Sequence, residues 1–248
     1  MKKPLLFAHR GFSGDYPENS PLAFRMTVEK TEADGIESDV HITKDGELII
    51  IHDATLERTS NGTGFVKDYT YEELMQLDIG AWKSPEFAGQ RMWTFDQLLD
   101  FCDETRLLLN MELKNYEVFY EGLEQRVIDA ICAHKMQDRV FVSSFNHISM
   151  QEFKNLCPEI ETGLLYDKPY LDMEHYIARS NADNMHPRYM LLQYQPELMQ
   201  LYHGRGMKVN TWTVNDEENM RDMIARGVDC IISNHPDVLC RVAGEMCD

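Results

Sequence analysis

The sequence predicts an α/β protein of the (β/α)8, TIM-type barrel class. Three observations carry that reading. Short apolar, strand-like runs alternate with helix-like segments along nearly all of the 248 residues, as repeated β-α units with a parallel sheet require. The number of such units is near eight, which favours a closed barrel over an open sheet. Histidines and carboxylates stand at the ends of the first strand-like runs, and strand ends are where parallel α/β proteins place their chemistry.

Taken in order, residues 5–9 form an apolar strand ending at His9. Residues 20–31 read as a helix, with Ser20 and Pro21 as N-cap and first helical residue. Residues 35–43 and 47–52 are strands joined by the Lys44-Asp-Gly46 turn. Later strands are expected at 107–113, 140–145, 162–166, 182–186, 208–214 and 228–233. Helices are expected at 94–105, 117–135, 148–157, 173–180, 195–204, 216–226 and from Pro236 onward. One interval breaks the rhythm: residues 54–92 hold more chain than a crossover needs. They read as an insertion at the strand-end face, within one domain spanning 1–248, where a long loop covers or shapes a site.

Composition narrows the function classes. The net charge of −18 argues against a phosphate-tracking groove and hence against nucleic acid as a partner. An acidic protein acting on an anionic substrate needs a local positive centre, which a divalent cation supplies. None of the six cysteines falls in a Cys-x-x-Cys pair, so a thiolate zinc site is not expected. The first residues offer too short an apolar run for a signal peptide, whose core is roughly 7–15 residues. No run approaches the roughly 18–20 apolar residues that span a bilayer. The expectation is a cytoplasmic protein with reduced thiols and no stable membrane anchor.

The candidate chemistry lies in three places. Glu37 and Asp39 are two apart on a strand and therefore share a face. Carboxylates so close repel unless a cation or proton lies between them, and oxygen ligands suit Mg²⁺, Ca²⁺ or Mn²⁺. His41 shares their parity but lies further along, toward the turn, and is set aside as a ligand. Glu112 and Lys114 repeat the spacing on a later strand, one for a metal and one for a phosphate oxygen, or as an ordinary ion pair. His9 and His52 each end an apolar strand, and histidine exchanges protons near neutral pH. Arg10 is placed to neutralise a phosphate oxygen or to pair with surface acids. Asp53, adjacent to His52, is expected to face the other way and to cap the following turn. Trp212 serves as an aromatic wall or as core, and His186 is a candidate for the mouth.

These pieces together resemble the glycerophosphodiester phosphodiesterase family. The matching segments are His9-Arg-Gly11, Pro17-Glu-Asn-Ser20, Gly35-Ile-Glu-Ser-Asp-Val40, Thr43-Lys-Asp-Gly46, His52-Asp53, Leu56-Glu-Arg-Thr59, Leu77-Asp-Ile-Gly80, Asn110-Met-Glu-Leu-Lys114, Ser144-Phe145, Thr211-Trp-Thr-Val-Asn215 and Gly227-Val-Asp229. They occur in the family's order and run nearly end to end. The resemblance implies a (β/α)8 barrel with a small insertion after His52. It implies His9 and His52 as the acid–base pair, with Glu37, Asp39 and Glu112 as ligands of one divalent cation. It gives Arg10 and Lys114 to phosphate, and Phe145 and Trp212 to the pocket wall. It implies a small-molecule phosphodiester substrate, cleaved to sn-glycerol 3-phosphate and an alcohol. Met92-Trp-Thr-Phe95 and Asn234-His-Pro236 depart from the family's usual Pro-Thr-Leu and Thr-Asp-x-Pro. Neither departure is expected to touch the catalytic set. Two rivals are carried forward: a related barrel phosphodiesterase acting on lysophospholipids or sphingolipids, with an apolar entrance, and a non-catalytic barrel that binds phosphodiesters.

Overall fold

Alternation along the strands decides the architecture. In β1 (Leu5–His9), Leu6 and Ala8 join a large apolar cluster shared with the helices, whereas Phe7 joins a separate cluster with Phe141, Cys230 and Ile232. A strand whose two faces are both buried needs helices on one side and other strands' side chains on the other. The computed structural model, which describes residues 2–247, provides both.

The strands after β1 are β2 (Gly35–Ile42), β3 (Leu48–Ile50), β4 (Leu108–Leu113), β5 (Val140–Ser144), β6 (Glu161–Tyr166), β7 (Asn184–Pro187), β8 (Lys208–Thr211) and β9 (Cys230–Ser233). All but β3 are parallel to their neighbours, and pairing of β1 with both β9 and β2 closes an eight-stranded barrel. β3 folds back antiparallel on β2 through the Lys44-Asp-Gly46 turn. The helices are α1 (Pro21–Lys30), α2 (Tyr71–Leu74), α3 (Phe95–Thr105), α4 (Leu123–Ala133), α5 (His147–Leu156), α6 (Met173–Arg179), α7 (Tyr189–Tyr194), α8 (Glu197–Gly204), α9 (Glu217–Arg226) and α10 (Pro236–Cys247). Flanking helices around a closed parallel barrel are the (β/α)8 arrangement that the alternation predicts.

Local chemistry sets the helix ends. Ser20 caps α1 by accepting from the Ala23 amide, and Thr94 with Gln97 closes a capping box on α3. The helix expected at 117–135 is shorter. Gly122 sits in the left-handed region (φ 75°), and the Asn115 side chain accepts from the Tyr120 amide, so residues 115–122 turn before α4 begins. The short helix α7 was not foreseen, because it follows Pro187 without a side-chain cap.

Between β3 and α3 the chain builds a small core of its own. Ile49 and Ile51 pack with Leu56, Val66, Leu74, Ile79 and Met92. This seats residues 51–92 on the β2–β3 side of the barrel. No helix among the described residues is long and apolar enough to cross a membrane. All six cysteines are free thiols.

Candidate active site

Strand register assembles the site. His9 pairs with Glu37 across β1 and β2, Asp39 pairs with Glu112 across β2 and β4, and Glu112 pairs with Ser143 across β4 and β5. Residues paired side by side with the same parity project together into the barrel. The ligand atoms of Glu37, Asp39 and Glu112 all lie within 4.8 Å of one another, and all three residues are buried. A cavity of about 80 Å³ above them is lined by His9, Arg10, Glu37, His52, Glu112, Phe145 and Trp212. Lys114 joins the cluster from β4, 2.7 Å from Glu112 and 3.3 Å from Asp39. His9, Arg10, Glu37, Asp39, His52, Glu112, Lys114, Phe145 and Trp212 therefore gather at one mouth, at the C-terminal ends of the strands. Larger clefts of about 290 Å³ between α5 and α6 and about 380 Å³ at the opposite barrel end hold no such cluster.

The electrostatics follow from burial and crowding. Burial pushes the Glu37 carboxyl well up, and repulsion from Asp39 and Glu112 adds to it. Burial works the same way on Asp39, but Lys114, His52 and Arg10 outweigh it and hold that carboxylate ionised. Burial also opposes charge on Lys114, and Glu112 and Asp39 reverse the balance, so its ammonium is retained. Asn19 donates to Asp39 Oδ2 at 2.8 Å, while the buried Oδ1 accepts no hydrogen bond.

The two histidines are anchored alike, each through Nδ1. His9 Nδ1 donates to Asn234 Oδ1 at 2.6 Å, and Nε2 stands 3.7 Å from Glu37 Oε2. Ser13 donates to the same Asn234 oxygen, and the Asn234 amide donates to Asn215. Burial and then Arg10 hold the His9 pKa down to about 3. His52 Nδ1 lies 2.6 Å from Asp53 Oδ1. In both rings Nε2 is the nitrogen left for chemistry.

Three expectations are corrected here. Asp53 does hold its neighbour His52: β3 ends at Ile50, so strand alternation no longer applies at residues 52 and 53. The Asn234 departure does touch the candidate catalytic set, through its hydrogen bond with His9. His186 does not line the mouth. It is fully buried inside the barrel, accepts from Asn210 at Nε2, and stacks edge-on to Phe141. His41, set aside as a ligand, stays outside the carboxylate group. Its Nε2 donates to the His52 carbonyl and its Nδ1 accepts from Tyr120, so it supports the His52 segment from below.

The pocket wall is a row of rings in edge-to-face contact, Trp212 to Phe145 at 5.5 Å and Phe145 to Tyr116 at 5.4 Å. Tyr116, Asn110, Ser143 and Thr213 were missed from the sequence. Asn110 shares the parity of Glu112, a signal that could have found it.

A closed (β/α)8 barrel with paired histidines beside a buried carboxylate cluster at its C-terminal mouth defines a TIM-type barrel protein with a candidate active site at the strand ends. Comparison with known proteins narrows the class. A model of the glycerophosphoryl diester phosphodiesterase family matches residues 9–238, a span that contains every site residue above. A glycerophosphodiester phosphodiesterase of Caldanaerobacter subterraneus subsp. tengcongensis is 42% identical over 237 residues, covering 96% of each chain. One from Bacillus altitudinis is 37% identical over 242 residues, 97% of this chain and 98% of that one. Among solved structures, a phosphodiesterase of Oleispira antarctica in complex with the product sn-glycerol-3-phosphate matches with a TM-score of 0.85 at 27% identity, covering 97% of each chain. The chain belongs to the glycerophosphoryl diester phosphodiesterase family.

Proposed function

We propose that the protein hydrolyses glycerophosphodiesters, the deacylated head groups of phospholipids, to sn-glycerol 3-phosphate and an alcohol. The observation that carries this reading is the convergence of both histidines, three carboxylates and two cations on one small cavity in a chain of this family.

The carboxylates fit a divalent cation. They are buried, mutually repelling and close together, and Asp39 Oδ1 accepts no hydrogen bond, with only the Lys114 ammonium near it at 3.3 Å. Glu37, Asp39 and Glu112 would hold Mg²⁺ or Ca²⁺, with Mn²⁺ the third candidate. Such an ion, when bound, supplies Lewis acidity toward a phosphoryl oxygen. Arg10 and Lys114 hold the phosphate by charge, and Phe145 and Trp212 shape the wall against which the organic part lies. His9 is kept neutral by burial and by the neighbouring Arg10, and oriented by its amide partner, which suits it to take the proton of the attacking hydroxyl at Nε2. His52 is held through Nδ1 by Asp53, which leaves Nε2 facing the cavity and suits that ring to protonate the leaving alcohol.

The test is release of glycerol 3-phosphate from glycerophosphocholine, first with EDTA, then with each metal restored. Release that needs metal and falls about 10²- to 10⁴-fold in His9→Ala supports the reading. Metal-independent turnover, or a His9→Ala variant at full rate, sinks the mechanism.

A second reading is a substrate that keeps one acyl chain. It is favoured by the exposed Phe119, Ile148, Tyr170, Leu171, Met190 and Tyr194, all in connections that follow β4 to β7 at the catalytic end. Lysophosphatidylcholine in the same assay separates the two readings.

A further inference from the structure

We infer that Arg58 and Glu18 form a positioning clamp that fixes His52 and Arg10 relative to one another. The inference rests on the proposed reading of His52 as the general acid. Arg58 uses its whole guanidinium edge. Nε donates to Asp53 Oδ2 at 2.6 Å, and Nη2 donates to Asp53 Oδ1 at 2.9 Å. Nη2 also donates to Glu18 Oε1 at 2.8 Å, and Nη1 donates to Glu18 Oε2 at 2.9 Å. Asp53 in turn holds His52, and Glu18 Oε1 accepts from Arg10 Nη1 at 2.7 Å. The result is a continuous run of alternating charge from His52 through Asp53, Arg58 and Glu18 to Arg10, whose Nε lies 3.5 Å from Asp39.

This run joins two separate connections of the chain by side-chain charge. His52, Asp53 and Arg58 follow β3, whereas Arg10 and Glu18 belong to the connection after β1. Arg10 also needs holding, because it is a non-glycine residue in the left-handed region (φ 57°). Two carboxylates gripped side by side by one planar fork fix direction as well as distance. A lysine keeps the charge but cannot grip both. Neither Arg58 nor Glu18 lines the cavity, so both act through the residues they hold.

The experiment compares wild type, Arg58→Ala, Arg58→Lys and Glu18→Gln on two substrates. One is glycerophosphocholine, whose choline must be protonated to leave. The other is bis(p-nitrophenyl) phosphate, whose nitrophenolate leaves without a proton. For Arg58→Ala, kcat on glycerophosphocholine should fall about 10- to 100-fold, with a much smaller loss on the nitrophenyl ester. Arg58→Lys should recover little, and added guanidinium should restore part of the Arg58→Ala loss, since this side chain is partly open to solvent. Glu18→Gln should raise KM more than it lowers kcat, by loosening Arg10. Equal losses on both substrates, or full activity in Arg58→Lys, would overturn the clamp.

A readout independent of turnover is the low-field NMR signal of the His52 Nδ1 proton. It should broaden or vanish in Arg58→Ala while that of His9 persists. An unchanged His52 signal overturns the clamp even in a protein with no measurable activity. A wild type that turns over neither substrate while the signal behaves as expected overturns the proposed function instead.

Discussion

Asn234 shows how one side chain governs a site from the far end of the chain. It meets His9 across 225 positions of sequence and fixes that ring by its Nδ1 proton. Because the partner is an amide, it orients the imidazole without paying for a charge on it. Asn234→Ala should lower kcat about 10- to 100-fold, as loss of such orienting partners does elsewhere. The fold should survive, since the Asn234 amide remains bonded to Asn215. Steady-state kinetics beside a thermal melt checks both halves. Asn234→Asp tests the sign of the charge effect. A carboxylate there favours the imidazolium and raises a pKa that burial and Arg10 hold at about 3. The acid limb of kcat/KM should then move to higher pH, and an unmoved limb would show that His9 is not the base.

At the scale of elements, the close approach of strands explains where glycine is required. A Cβ on Gly35, at the start of β2, would lie 2.5 Å from the Phe7 ring and 2.6 Å from the Leu108 carbonyl. Both neighbours belong to packed strands or the barrel interior and cannot give way cheaply. Gly35→Ala should cost about 1–3 kcal/mol by overpacking, read as a lower midpoint in urea. Gly244 in α10 has open space at the same position. Gly244→Ala should stabilise by about 1 kcal/mol through helix propensity alone. A matched loss at both positions would show that crowding is not the cause at Gly35. Element lengths were less legible than element identities. Residues 117–122 were read into the helix that follows, yet Asn115 and Gly122 turn them aside, as the Asn115 contact with Tyr120 shows.

For the whole molecule, the net charge of −18 sets a standing repulsion that the fold must bear. Screening shortens the reach of that repulsion from roughly 30 Å at 0.01 M salt to about 8 Å at 0.15 M. The melting temperature should therefore rise over this range in a salt that binds no site. A flat or falling curve would mean that the surface ion pairs lost to screening outweigh the repulsion relieved.

Apart from the grouping of Glu112 with Glu37 and Asp39, which only the resemblance implied, the sequence by itself determined the barrel and which site residues share a strand face. Both depend on local periodicity: strands repeat every two residues, so Glu37 with Asp39, and Glu112 with Lys114, had to share faces. The parallel register then leaves them little choice but to meet. Only the tertiary structure decided what holds each histidine. Asn234, Asp53, Arg58 and Glu18 reach their partners through turns and across the closed barrel, where no period operates. Asp53 was misjudged because alternation was extended past the end of β3 at Ile50. His186 was misjudged because strand-end position alone does not distinguish the mouth from the packed interior beneath it. Periodic contacts can be read from spacing; contacts made by loops depend on the closure of the whole sheet, which brings the last β-α turn against the first.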